Sequence, residues 1–205
     1  MSPSRTHHCG ENAFDQRMQP GGSCVTAIGG LETRSIARGM EAADVMSKSA
    51  DIKLLLASAT CPGKYLIVVC GSVAAVRAAM SAGEESVGDS FSDRMIIPSV
   101  HPEVIPALSA MSQVDDIKAL GVIETFTMAS AIMAADEAVK TADVHLIEIR
   151  LGRGLAGKAF VVLTGEVAGV RAAVAAGVNV LHEEAMLLAT TVIPSPHPEL
   201  INKIL

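Results

Sequence analysis

The sequence predicts an α/β (α+β) fold in which one β-α-β-β-α-β unit occurs twice, with helices lying on a mostly antiparallel sheet. Internal repetition is the first observation behind this. AIGGLETRSIARGMEAADVMSKSADI from Ala27 lies on ALGVIETFTMASAIMAADEAVKTADV from Ala119, matching Glu32 with Glu124, Asp44 with Asp136 and Lys48 with Lys140. Further on, GSVAAVRAAMSAG (71–83) and GEVAGVRAAVAAG (165–177) agree at nine of thirteen positions, and IPSVHPE (97–103) answers IPSPHPE (193–199). The second observation is that both copies set short apolar strand-like runs and helix-spaced stretches in the same order. The third is composition: half the residues are hydrophobic but only 2% are aromatic. A core of Ala, Val, Ile, Leu and Met suits thin, closely packed layers. The chain therefore divides into a tail (1–25), a first domain (26–113) and a second domain (114–205) joined near 112–116.

Within each copy the elements follow in turn. A short strand (27–32; 120–124) runs to Ser35 or Thr127, whose hydroxyls suit the free N–H groups of a following helix. In the first copy Ile36, Met40, Ala43 and Met46 keep a helical spacing, and in both copies an Asp precedes a Lys by four residues, predicting an exposed pair near the helix end. Two strands come next, DIKLLLAS and KYLIVVCG, or DVHLIEIRL and KAFVVLTG. A second helix runs through VAAVRAAMSAG or VAGVRAAVAAG and is expected to stop on Gly83 or Gly177. A last strand carries MIIPS or TVIPS.

Composition and charge exclude several functions. The apolar runs are far shorter than the ~20 residues that span a bilayer, so no membrane partner is expected. A formal net charge of −6 and scarce aromatics argue against nucleic acid. The first 24 residues hold no continuous apolar segment of the secretory kind, which predicts a cytoplasmic location. In that compartment the four cysteines (Cys9, Cys24, Cys61, Cys70) read as thiols or metal ligands rather than disulfides. His7, His8, Cys9 and Cys24 form a weak metal candidate, since a tail rich in Pro, Gly, Ser and Gln has no core to fix ligands. Cys70, ending an apolar strand, reads as core. His101 and His197, between prolines, read as parts of a rigid turn with a local hydrogen bond. Glu32 and Glu124 read as capping or interface groups, and Gly29-Gly30 lacks the spacing of a dinucleotide loop. No catalytic residue is assigned. Cys61 has no base nearby in sequence to activate it as a nucleophile, so an enzyme is the last of the readings.

The AIGGLET strand, the KSADI helix end, CPGK, the GSVAAVRAA helix and IPSVHPE together resemble the bacterial microcompartment shell domain, over residues 26 to 205. Two copies in one chain resemble the tandem-domain shell proteins. That resemblance implies a pseudo-hexameric homotrimer in a microcompartment shell, tiling edge to edge with other shell proteins. It also implies that Lys48 and Lys140 lie along shell edges. The family often carries a Pro-Arg-Pro-His stretch there, whereas this chain has Ser99 and Ser195, which weakens the expectation of tight tiling.

The resemblance also gives meaning to the ATCPGK loop. Around a three-fold axis one Cys61 per chain becomes three thiols, able to hold a 4Fe-4S cluster at a central pore. The second copy's loop, 151–158, reads LGRGLAGK, two residues longer and without a thiol. Thr60, Pro62, Gly63, Leu155 and Ala156 are then the expected pore lining, and interior redox enzymes the expected electron partners. The alternatives are a free thiol on a glycine turn, and a metal-free tile whose pore passes small metabolites.

Overall fold

The computed structural model describes residues 26–114, 116–152, 154–181 and 186–204. The first copy comprises β1 (Ala27–Thr33), α1 (Ile36–Ser49), β2 (Ile52–Thr60), β3 (Lys64–Gly71), α2 (Val73–Val87), β4 (Phe91–Ile97) and a short α3 (Val104–Leu108). The second comprises β5 (Ala119–Thr125), α4 (Met128–Thr141), β6 (Val144–Leu151), β7 (Ala159–Gly165), α5 (Val167–Asn179), β8 (Leu187–Ile193) and α6 (Pro198–Ile204). The sheets have orders β2-β3-β1-β4 and β6-β7-β5-β8, and every pairing is antiparallel. The predicted unit is thus present twice. Each copy adds a short helix, α3 or α6, after the last strand.

The helix starts follow the sequence. Ser35 accepts from the amide of Arg38 at 3.4 Å and Thr127 from that of Ser130 at 3.2 Å, each satisfying a donor that has no partner inside the helix. Thr127→Ala is expected to lower stability by about 1 kcal/mol, read as a lower urea midpoint.

The helix ends do not follow it. Gly83 and Gly177 lie inside α2 and α5, which run on to Val87 and Asn179. These glycines serve close packing instead. A Cβ on Gly83 would stand 2.7 Å from Met46 Cγ on α1, and one on Gly177 would stand 2.8 Å from the Ala134 carbonyl oxygen on α4. The helices of each copy approach too closely for any side chain there.

The period-two geometry of strands explains the apolar run YLIVVC. Tyr65, Ile67 and Val69 of β3 face α1 and α2, in a core with Leu31, Ala43, Met46 and Met80. Leu66 and Val68 point the other way and join Ile28, Met95 and Ile97 in a cluster with Met128, Ile132 and Ala135 of α4. The first sheet is therefore covered on one face by its own helices and on the other by the second copy. Cys70 is fully buried, as expected of a core thiol, and burial raises its pKa.

Candidate functional site

The Cys61 loop forms the tight β2–β3 connection. Thr60 pairs with Lys64 across it, Gly63 takes a left-handed conformation (φ +84°), and its amide donates to the Thr60 carbonyl at 3.0 Å. Cys61, Pro62 and Gly63 are exposed at the tip. The second copy's loop is built differently: Gly152, Gly154 and Gly157 have positive φ, as does Ala156, so the two extra residues are absorbed by left-handed turns. Leu155 is half-buried there and Ala156 exposed.

Tertiary structure sets these two loops side by side. A Cβ on Gly157 would lie 3.0 Å from the Cys61 carbonyl oxygen and 3.2 Å from Pro62 Cδ, and one on Gly152 would collide with the Thr60 hydroxyl. Ile36, Ala59, Thr60, Cys61, Gly63 and Gly154 border an open depression of about 380 Å³. Thr60 differs from its neighbours in being 8% exposed, wedged between the loops, and its hydroxyl has no hydrogen-bond partner among the described residues. Cys61 is a free thiol. Among the described residues no three His, Cys, Asp or Glu side chains of one chain are grouped to hold a metal. A thiolate is the right donor for an iron–sulfur cluster, but a chain that brings one thiol to this loop can ligate a cluster only together with other copies. His7, His8, Cys9 and Cys24 lie outside the described residues.

Beneath the loop, Glu32 is 2% exposed and forms an ion pair with Lys64, with the Ser92 hydroxyl 3.4 Å from the same carboxylate oxygen. Among the described residues it caps no helix, the first of the two roles expected from sequence, because its partners Lys64 and Ser92 lie on or beside the neighbouring strands β3 and β4. Glu124 faces Lys158 more loosely, at 3.6 Å.

The two Asp-Lys pairs, alike in sequence, have different surroundings. Lys48 and Asp44 form an exposed pair at 2.6 Å, as expected. Asp136 and Lys140 do not: Asp136 is 8% exposed at its side chain, accepts from the His101 amide at 2.8 Å, and shares Lys140 with the Ser99 carbonyl. Glu103 completes this junction by accepting from the Leu146 amide at 2.9 Å and pairing with His145 Nδ1 at 3.0 Å. Sequence reasoning missed Glu103 and His145, whose partners are more than 40 residues away. His101 and His197 each accept through Nδ1, at 3.3 Å, from the amide two residues on, the local bond expected of a rigid turn. Ile36 and Met40 keep their helical spacing but face outward, at 38% and 56% exposure.

No helix among the described residues is long and apolar enough to cross a membrane. The BMC domain family model matches twice, over residues 27–100 and 119–196. The chain is 42% identical over 171 residues to the bacterial microcompartment shell protein PduT of Citrobacter freundii, covering 83% of this chain and 93% of that protein. It is 29% identical over 191 residues to the carboxysome assembly protein CcmO of Synechococcus elongatus, covering 87% and 68%. The crystal structure of a microcompartment protein from Desulfitobacterium hafniense superposes with a TM-score of 0.83 at 51% identity, covering 87% of this chain and 99% of that one. Two matched domains, a repeated fold and a relative similar over nearly its whole length place this chain in the BMC-domain family, as a tandem-domain shell protein of bacterial microcompartments whose role is structural rather than catalytic.

Proposed function

We propose that three chains close into a pseudo-hexameric shell tile whose central pore holds a 4Fe-4S cluster through one Cys61 from each chain. The observation that carries this reading is the position of Cys61: an exposed thiol at the tip of a loop packed against the thiol-free loop of the second copy. Cyclic repetition of that pair of loops alternates cysteine loops with loops bearing Leu155 and Ala156 around one axis. Three thiolates account for three of the four irons of such a cluster. A bound cluster supplies one-electron chemistry, which would let the tile pass electrons between the two sides of the shell to interior redox enzymes.

The chain's own part is to present the thiol. The Gly63 turn projects Cys61, the Gly157 contact supports its backbone, and the Lys64–Glu32 pair anchors the start of β3. Pro62 and Gly63 form the rim beside the thiol, and Thr60 packs closely against Gly152. Lys48 and Lys140 would meet neighbouring tiles from the outer edge, Lys48 with the freer amine.

Anaerobic purification of wild-type and Cys61→Ser protein tests this. About four irons and about four sulfides per three chains are expected for the wild type, with none in the serine variant while the oligomer persists. An iron-free wild type after reconstitution would leave the metal-free reading, a pore passing small metabolites past the Cys61 and Leu155 loops.

A further inference from the structure

We propose that the thiol-free loop of the second copy is the seat of the Cys61 loop, with Gly152 and Gly157 as positioning residues that fix where each thiol stands. This rests on the cluster reading above, and it places control of the cluster's geometry in the loop beside the ligand rather than in the loop that carries it.

Gly152, Gly154 and Gly157 all hold left-handed backbones, with φ of +64°, +72° and +86°. Two of them face the other loop and one does not. A Cβ on Gly152 would stand 2.0 Å from the Thr60 hydroxyl oxygen and 3.1 Å from Met128 Sδ, and one on Gly157 would stand 3.0 Å from the Cys61 carbonyl oxygen and 3.2 Å from Pro62 Cδ. One on Gly154 would meet nothing within 4 Å. Gly152 and Gly157 are accordingly buried and Gly154 exposed. The seat is therefore bare backbone at the two points where it touches Thr60 and Cys61.

The seat is braced across its base. The Gly152 amide donates to the Lys158 carbonyl at 3.0 Å, and the Lys158 amide to the Leu155 carbonyl at 3.1 Å. On the facing side Thr60 is 8% exposed and its hydroxyl has no hydrogen-bond partner among the described residues, so what it makes with Gly152 is a contact of shape. A ligand constellation works only within about 0.5 Å of its productive geometry. Each chain supplies one thiol, so any shift of the seat is repeated three times around the axis.

Gly157→Ala and Gly154→Ala test this on the full chain. Both put alanine on a left-handed backbone and carry the same kind of strain, but only Gly157→Ala adds a methyl against Cys61 and Pro62. On iron-free protein, alkylation by iodoacetamide is followed by mass spectrometry at the peptide carrying Cys61. Gly157→Ala is expected to change that rate several-fold and Gly154→Ala to leave it at the wild-type value. On anaerobically reconstituted protein Gly157→Ala is expected to release iron to a chelator about tenfold faster, the scale on which a metal site suffers when the support of a ligand is disturbed. Its electron paramagnetic resonance spectrum should shift while circular dichroism and native mass match wild type. Equal alkylation and equal iron release in the two variants overturn the seating. A wild type that takes up no iron overturns the cluster reading, and the alkylation rates then still decide whether Gly157 places Cys61. Should Gly157→Ala not fold, Gly152→Ala is compared with Gly152→Ala/Thr60→Ala: loss of the colliding hydroxyl is expected to return alkylation and iron release toward wild type. A double variant no better than the single overturns the proposal.

Discussion

Lys64→Met is expected to lower the stability of the first copy by about 3 kcal/mol, the scale on which removing one partner of a buried ion pair strands the other. Glu32 is 2% exposed at its side chain and Lys64 24%, so the amine reaches water while the carboxylate does not. One carboxylate oxygen, Oε2, has no hydrogen-bond partner among the described residues, and the other is held by Lys64 with Ser92 at the limit of hydrogen bonding. Without Lys64 the carboxylate has no charged partner and little water. The double change Lys64→Met with Glu32→Gln is expected to recover much of the loss, because a neutral amide costs far less to bury than an unpaired charge. Urea unfolding of the two variants measures both, and a single variant as stable as wild type would refute the role given to the pair. Because Lys64 closes the Cys61 loop, faster proteolysis near residues 60–64 should accompany the loss.

Gly39→Ala is expected to destabilise by about 2 kcal/mol net, although alanine is the better helix former by about 1 kcal/mol. Gly39 is buried on the inner face of α1. A Cβ there would lie 2.6 Å from both Cγ and Cδ1 of Tyr65, which is 6% exposed. Cγ is tied to the β3 backbone through a single carbon, so the ring cannot swing clear without moving the strand or the helix. Combining Gly39→Ala with Tyr65→Ala should cost less than the sum of the single changes, the sign of a shared steric contact. A Gly39→Ala chain with an unchanged or higher melting temperature would mean that α1 lifts off the sheet at little cost.

Much of the architecture was legible because it is written locally and written twice. Ser35 and Thr127 mark helix starts by chemistry that acts within three residues, and the alternation of YLIVVC follows from the pleat of one strand. The repeat supplied each element with a second reading. The Cys61 loop stood out in the same way, through a thiol in a Pro-Gly turn that the other copy lacks.

Sequence by itself determined the duplicated unit, the order of its elements, the family and the loop that distinguishes its halves, since these depend on residue identity and short-range spacing. Only the tertiary structure decided what each copy does with the same residues. Asp44-Lys48 and Asp136-Lys140 are indistinguishable as motifs, yet one pair meets solvent and the other clasps Ser99 and His101. Gly83 and Gly177 looked like helix ends and are helix contacts, because the limit on their side chains comes from Met46 and Ala134 on neighbouring helices. Burial is a property of what lies across the gap, and for α1 and α6 one chain leaves that gap open.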